Sequence, residues 1–387
     1  MTAPSLPAPS GAGDLPPSTR LGRTVGRPPR RRRRGRPVAL AALAVLALAG
    51  CSAIGSTPAA APSSSGGGSV TLVTHDSFVL PDGMLADFTA RTGITVSVVQ
   101  QGDAGALVNQ LVLTKDSPLG DAVFGIDNTF GSRALDEGLV TPAHLTAPAL
   151  ADATKHSLPG DSAGALTAID DGDVCLNVDH AWFTAKGLPE PVTLQDLTKP
   201  EYKDLLVVPS PVTSSPGFAF LLATVGAFGP DGWQGYWSAL KANGLQVANG
   251  WTDAYETDFT AGGGNGSRPI VLSYSSSPPS TVPDGGSQPT TGALLSTCFR
   301  QTEYAGVLTG AKNPEGAAKL IDFLLSDEVQ AAIPDAMYMY PVSTAVTLPT
   351  TWASFAPLAT TPYDVDPAAI AANRQTWLQQ WSDLVTG

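Results

Sequence analysis

"SVTLVTHDSFVLPDGMLADFTARTGITVSVVQQGDAGALVNQLVLTKDSPLGDAVFGID", residues 69–127, alternates short apolar runs with helical patterns. "SVTLVTH" reads as a strand, "GMLADFTARTG" as a helix closed by Gly93, and "ITVSVVQQ" as a second strand. "AGALVNQLVLTK" is helical again and "DAVFGID" is a third strand. A βαβαβ series of this kind predicts an α/β fold with a parallel sheet and helices on its faces. Ligands of such sheets bind beyond the carboxyl ends of the strands. His75, Asp76, Ser77 and Phe78 follow the first strand, and Asp127 and Asn128 end the third.

Downstream, "ALTAIDDGDVCLNVD" and "STCFRQTEYAGVLTG" read as two long strands more than a hundred residues apart, with a further mixed α/β region between them. Two lobes joined by two strands fit this layout. "PEGAAKLIDFLLSDEVQAAI" reads as an amphipathic helix pair, and "DPAAIAANRQTWLQQWSDLV" as a C-terminal helix with Ile370, Trp377 and Leu384 on helical spacing.

Upstream, an arginine run, Arg30 to Arg34, precedes the apolar stretch Val38 to Gly50, which is short for a transmembrane span. It ends in "LAGC", similar to the lipobox of bacterial lipoproteins, so Cys51 is the expected lipidated residue and residues 1–51 the signal sequence. Residues 52–69, rich in Gly, Ser and Pro, read as a flexible tether with a reach of about 20–25 Å. The chain is thus expected to be exported and anchored to the outer face of the cell membrane.

The 387 residues are 43% hydrophobic and 14% charged, enough for one large core or two ordinary ones. Residues 1–50 hold nine arginines and one acid, which leaves 13 basic against 33 acidic residues, net −20, for the remainder. That field argues against a nucleic-acid partner and favours a cationic or metal cargo, although acidic surfaces also serve solubility.

"GDSAG", residues 160–164, fits the G-x-S-x-G pattern that makes a serine, here Ser162, a hydrolase nucleophile. The pattern needs a strand before it and a helix after it, whereas Leu158-Pro159 precedes and the strand "ALTAI" follows. The later histidine, His180, is too close in sequence for the usual Ser, acid, His order.

"HDSF", "VFGIDNT", "TSSPGFAFLL", "NGWTDAY", "VLSYSSSP", "MYMYPV" and "AANRQTWLQQW" occur in an order and spacing that resemble the thiamine-binding proteins of bacterial ABC importers, a group of type II periplasmic binding proteins. The resemblance runs from about Val70 to the C-terminus. It implies a two-lobed fold of two mixed sheets with flanking helices joined by two hinge strands, with residues 70–171 in the first lobe, 172–299 in the second, and 300–387 returning to the first and adding the C-terminal helices. It also implies ligand contacts from Asp76, Ser77, Asp127, Ser214 and Ser215, from Trp251, Tyr255 and Tyr274, and from Tyr338, with His75 as a further candidate. His75 stands where the family usually has tyrosine, Tyr338 where it often has tryptophan, and Ser280 where another tyrosine is expected. The implied partners are thiamine or a related small cation and an ABC permease. The protein is expected to be a monomer with no catalysis, no resident metal and no cofactor beyond the transported ligand.

These residue types suit thiamine, a fixed-charge cation with two flat rings and an alcohol. A cation over Trp251 or a tyrosine gains about 0.5–2 kcal/mol, and Asp76 or Asp127 accepts from the aminopyrimidine. Ser214 and Ser215 open a helix whose first N–H groups are available for the hydroxyl or a phosphate ester. A tryptophan in a mixed α/β protein is also a common core residue, and Asp76 and Asp253 also suit turns or caps. Polyamines and ferric iron remain alternative cargoes, although Met339 separates Tyr338 from Tyr340. Cys175 and Cys298 lie on the two long strands. An antiparallel crossing would bring them together as a disulfide in the second lobe, the alternative being two buried thiols.

Overall fold

The computed structural model describes residues 67–387, so the leader, Cys51 and the tether through residue 66 lie outside the described residues. Ten strands form a single ladder: β1 (Gly68–Thr74), β2 (Ile94–Gln100), β3 (Ala122–Asp127), β4 (Val140–Thr141), β5 (Thr167–Asp179), β6 (Leu206–Pro209), β7 (Gln246–Ala248), β8 (Ile270–Tyr274), β9 (Thr291–Leu308) and β10 (Tyr340–Pro341). Their order is β2-β1-β3-β9-β5-β8-β6-β7, with β4 on β9 and β10 on β5.

The opening stretch folds as its pattern dictates. β1 pairs in parallel with β2 and with β3, and the helices Met84–Thr92 and Ala104–Leu113 make the crossovers. Gly93 stops the first helix in the left-handed conformation, φ 72°, with its N–H on the Thr89 carbonyl. All six residues of β3 are buried, as expected for a strand covered on both faces.

β5 and β9 are the long strands read in the sequence, and they run antiparallel through the middle of the ladder. β9 holds β3 along one part of its length and β5 along nearly all of it, so the two strands tie the parallel β2-β1-β3 end to the β8-β6-β7 end. Their register shifts between Val174 and Leu176. There Thr297 takes the Leu176 N–H on its hydroxyl and donates to the Leu294 carbonyl, which holds a short bulge of β9 against β5. Cys175 and Cys298 close a disulfide at this bulge across 123 residues of sequence, both sulfurs fully buried.

A third connection between the two ends was not foreseen. Within the segment 356–366, Ala359 donates its N–H to Asp173 at 2.6 Å and accepts from Arg300, and Tyr363 donates to the Cys298 carbonyl at 2.7 Å. The C-terminal helix Pro367–Val385 that follows buries Ile370, Trp377 and Trp381 along one stripe. Trp381 packs edge-on against Trp237 of the helix Trp233–Ala242, with ring centroids 5.5 Å apart. Arg374, one turn before Trp377, bonds Ser132 of the helix Gly131–Asp136, so this helix touches both ends of the sheet.

Candidate functional site

A cleft of about 410 Å³ opens between the two ends of the sheet, at the carboxyl ends of β1 and β2 and the exit of β8. One wall comes from the turn after β1, with His75, Asp76 and Ser77, and from Asp103 at the start of the helix Ala104–Leu113. The facing wall is Ser215 and Pro216, at the start of the helix Ser215–Phe228, together with Trp251, Thr252 and Tyr274. Glu303 of β9 and the Met337–Met339 loop also line it.

The walls touch. The Asp103 carboxylate receives N–H bonds from its own helix at Ala104 (2.6 Å) and from the facing wall at Trp251 (2.8 Å) and Ser215 (3.3 Å). Ser77 and Thr252 hydroxyls meet at 3.3 Å, and Ala106 donates to the Thr213 carbonyl at 2.8 Å. The approach is close enough that a Cβ on Gly105 would sit 2.8 Å from the Thr213 carbonyl carbon.

The aromatic wall is built around Trp251. Its ring stacks on Tyr255 with centroids 5.0 Å apart and planes 11° from parallel, and Tyr274 and Tyr338 tilt towards it at 6.5 and 6.3 Å. The indole N–H donates to Ser273, whose hydroxyl meets Ser277 at 2.8 Å. Tyr274 donates to Gln301, which in turn donates to Ser215. These bonds fix the rings before any ligand arrives. Tyr338 ends the helix Asp327–Met337 with φ 58°, a left-handed conformation that costs a non-glycine residue roughly 1 kcal/mol, and Ser276 holds its carbonyl.

Charge in the cleft is one-sided. Its lining contains the carboxylates of Asp76, Asp103, Glu256 and Glu303 and neither lysine nor arginine. Burial raises the Asp103 carboxyl to about 6, against the hydrogen bonds it accepts. Burial also raises Asp76, and Asp253 adds repulsion there. Glu303 is pushed up by burial, with Asp127 and Asp103 adding to it. His75 is driven down to about 4 by burial, hence neutral. Its Nδ1 accepts from the Ser77 N–H at 3.2 Å, so the ring proton sits on Nε2, 3.5 Å from Glu303. Gly125, φ 96°, makes the room for this imidazole, since a Cβ there would lie 2.0 Å from His75 Cδ2.

Of the residues expected from the sequence, His75, Asp76, Ser77, Ser215, Trp251, Tyr274 and Tyr338 meet in the cleft. Asp127, Ser214 and Tyr255 do not line it. Asp127 turns its Oδ1 onto the Thr129 hydroxyl and the N–H groups of Thr129 and Phe130. Ser214 caps the helix Ser215–Phe228 by accepting from Gly217, and Tyr255 lies behind Trp251. Asp and Ser at a strand-to-helix turn serve as caps as readily as ligand contacts, and here capping wins. The backbone N–H groups of the helix start are therefore taken: Ser215 N–H is on Asp103, Gly217 N–H is on Ser214, and Pro216 has none. Ser214→Ala should lower stability by about 1 kcal/mol in urea denaturation and leave ligand affinity unchanged. A loss of affinity with unchanged stability would return Ser214 to the ligand.

Asp103, Thr252, Glu256 and Glu303 were missed. The strand-end rule that selected Asp76 also selects Asp103, which follows β2 and opens a helix, whereas Glu303 lies inside a strand and carried no signal. Ser162 lies in an exposed turn followed by β5 and not by a helix. His180 is bonded to Glu190 at 2.6 Å. The disulfide is the antiparallel pairing expected for Cys175 and Cys298.

The sequence model of the family described as bacterial extracellular solute-binding protein matches residues 118–359. The thiamine-binding periplasmic protein of Escherichia coli (strain K12) is 28% identical over 327 residues, which cover 82% of this chain and 93% of that protein. A solved periplasmic thiamin binding protein superposes with a TM-score of 0.71 at 26% identity, covering 82% of this chain and 96% of that one. The ferric binding protein from Campylobacter jejuni superposes with a TM-score of 0.62 at 17% identity, over 81% of this chain and 99% of that one, a likeness of fold alone. With a family match over most of the described residues and the two-lobed architecture of these neighbours, this chain belongs to the bacterial extracellular solute-binding proteins, of the type II periplasmic fold.

Proposed function

We propose that the protein captures thiamine outside the cytoplasmic membrane and delivers it to an ABC importer, without catalysis. The observation that carries this reading is the cleft itself, aromatic on one wall, lined by four carboxylates and free of lysine and arginine. A flat organic cation gains from both features: about 0.5–2 kcal/mol over an aromatic face, and a charge-assisted bond to a carboxylate. The relatives bearing the name thiamine-binding support the same choice. Asp127 does not line the cleft and Asp76 and Asp103 do, which makes these two the acceptors for the aminopyrimidine.

The unesterified vitamin is favoured over its phosphates. A phosphate would face the same carboxylates, and the helix start that would receive it has its N–H groups taken. Iron is disfavoured because Tyr340 packs edge-on against Trp352 at 5.0 Å and so does not join Tyr338 at the cleft, and the other tyrosine there, Tyr274, has its hydroxyl on Gln301. Residues 70–171 and 172–299 act as two lobes that close over the ligand, with residues from 300 returning to the first, and Cys51 anchors the chain by lipid.

Calorimetry with thiamine, thiamine monophosphate, spermidine and ferric citrate tests the assignment. The expected result is one-to-one binding, tightest for thiamine. Tightest binding to spermidine or iron, or no heat with thiamine, would sink it.

A further inference from the structure

Three carboxylates stand in a row across the middle of the sheet. Glu303 on β9 is the direct cross-strand partner of Asp127 on β3 and of Asp170 on β5. Directly paired residues of an antiparallel ladder project on the same face with Cβ atoms about 4.5–5.5 Å apart, where like charges destabilise one another. All three are buried, Asp127 and Asp170 completely. Neither oxygen of Asp170 accepts an N–H or O–H hydrogen bond from any of the described residues, and the group facing it is Glu303. Glu303 reaches the cleft, where His75, 8% exposed, points an Nε2 that has no hydrogen bond of its own towards it. Asp127 keeps its second oxygen unbonded as well.

Two acceptor groups facing each other in a dry site are reconciled by a proton between them. We propose that Glu303 and Asp170 share a proton in the ligand-free protein and release it when a cation occupies the cleft, so that capture of the cargo is proton-coupled. The inference rests on the cationic ligand proposed above. In the exchange no covalent bond of the ligand changes. The O–H of the carboxyl pair breaks, its proton goes to the buffer, and Glu303, which lines the cleft, then faces the cation with the Asp170 carboxylate behind it.

The surrounding groups favour this direction. His75 approaches from the turn after β1 and is neutral. Asp127 and Asp103 add negative charge beside Glu303, Asp171 adds it beside Asp170, and Tyr274 of β8 stays protonated because burial raises it. None of the three row carboxylates forms an ion pair with a lysine or arginine among the described residues. Burial raises both members of the pair above the ordinary carboxylate range; Glu303 and Asp171 push Asp170 further, and Asp127 and Asp103 push Glu303 further against the hydrogen bond it shares with Asp170. A pair that carries one negative charge instead of two lessens the repulsion within the empty cleft, and an uncharged look-alike of the ligand gains nothing from the proton's release.

The test has two arms on the full exported chain. In infrared spectra of the ligand-free protein at neutral pH, a protonated-carboxyl C=O stretch is expected that disappears in Glu303→Gln and, separately, in Asp170→Asn. No band sensitive to either substitution overturns the proposal without any ligand being needed. In calorimetry with thiamine in buffers of different protonation enthalpy, the wild type is expected to release about one proton, with affinity rising by up to about tenfold per pH unit below the pair's titration midpoint. Glu303→Gln is expected to release none, to lose its pH dependence and to bind at least about tenfold more weakly at alkaline pH. If the wild type binds spermidine and not thiamine, the ligand assignment fails and the proton count is read with spermidine. A wild type that binds a cation without proton release, or a Gln variant that releases as many protons, overturns the coupling.

Discussion

Replacing Cys175 and Cys298 together by alanine should lower the unfolding free energy by about 4–5 kcal/mol on the chain-entropy account of a cross-link. The bond spans 123 residues of sequence, and a loop of that length loses much freedom in the unfolded chain when its ends are tied. Native packing adds to this, since the two sulfurs and Ala359 form a small buried cluster against Leu295, apart from the main core. The disulfide lines no part of the cleft, so ligand affinity in the folded variant should stay within about threefold of wild type. Urea titration of the wild type and the double variant measures the loss. A change below about 1 kcal/mol would mean that the bulge of β9 and the 356–366 segment hold the strands without it. Thiol titration of the denatured, unreduced chain lacking Cys51 should find none free; two titratable thiols would refute the bond.

That pairing was legible in the sequence because two long strands, each carrying one cysteine, can cross in few ways. The parallel end of the sheet was legible for a similar reason: each strand is a short apolar run and each helix an amphipathic one, with Gly93 as a stop. The cleft was legible in part. Strand ends point to where ligands bind, and His75, Asp76 and Ser77 are there. What the sequence does not carry is how a side chain spends its hydrogen bonds. Ser214 and Asp127 have the chemistry of ligand contacts, yet nearby orphan N–H groups claim them. Register is equally hidden. An acid within "QTEYAGVL" looks like an interruption of a strand, and only the pairing of β9 with both β3 and β5 sets Glu303 between Asp127 and Asp170. The third crossing escaped because residues 356–366 hold no regular element, only bonds to Asp173, Arg300 and Cys298.

Trp251 has the chemistry of either a core residue or a ligand platform, and its surroundings bury it among other rings while leaving it in the lining of the cleft. It is 8% exposed, so Trp251→Ala removes a large buried side chain and should cost about 3–5 kcal/mol of stability, a penalty the surrounding rings offset only by collapsing into the gap. It also strips the cleft of its central aromatic face, which should weaken binding of a cationic ligand by about tenfold or more, the scale of a desolvated cation–π contact together with stacking. Loss of affinity in this variant therefore does not separate the two roles. Trp251→Phe does. Phenylalanine retains a ring against Tyr255 and forfeits the indole N–H bond to Ser273, so stability should fall by only about 1–2 kcal/mol. Phenylalanine is also a weaker cation platform than tryptophan, so affinity should still drop severalfold. Melting curves and calorimetry on both variants decide the matter. If Trp251→Phe binds as tightly as wild type, the ring's role is to fill the wall behind the cleft, and the ligand's positive charge must then be met chiefly by the carboxylates of Asp76, Asp103 and Glu303.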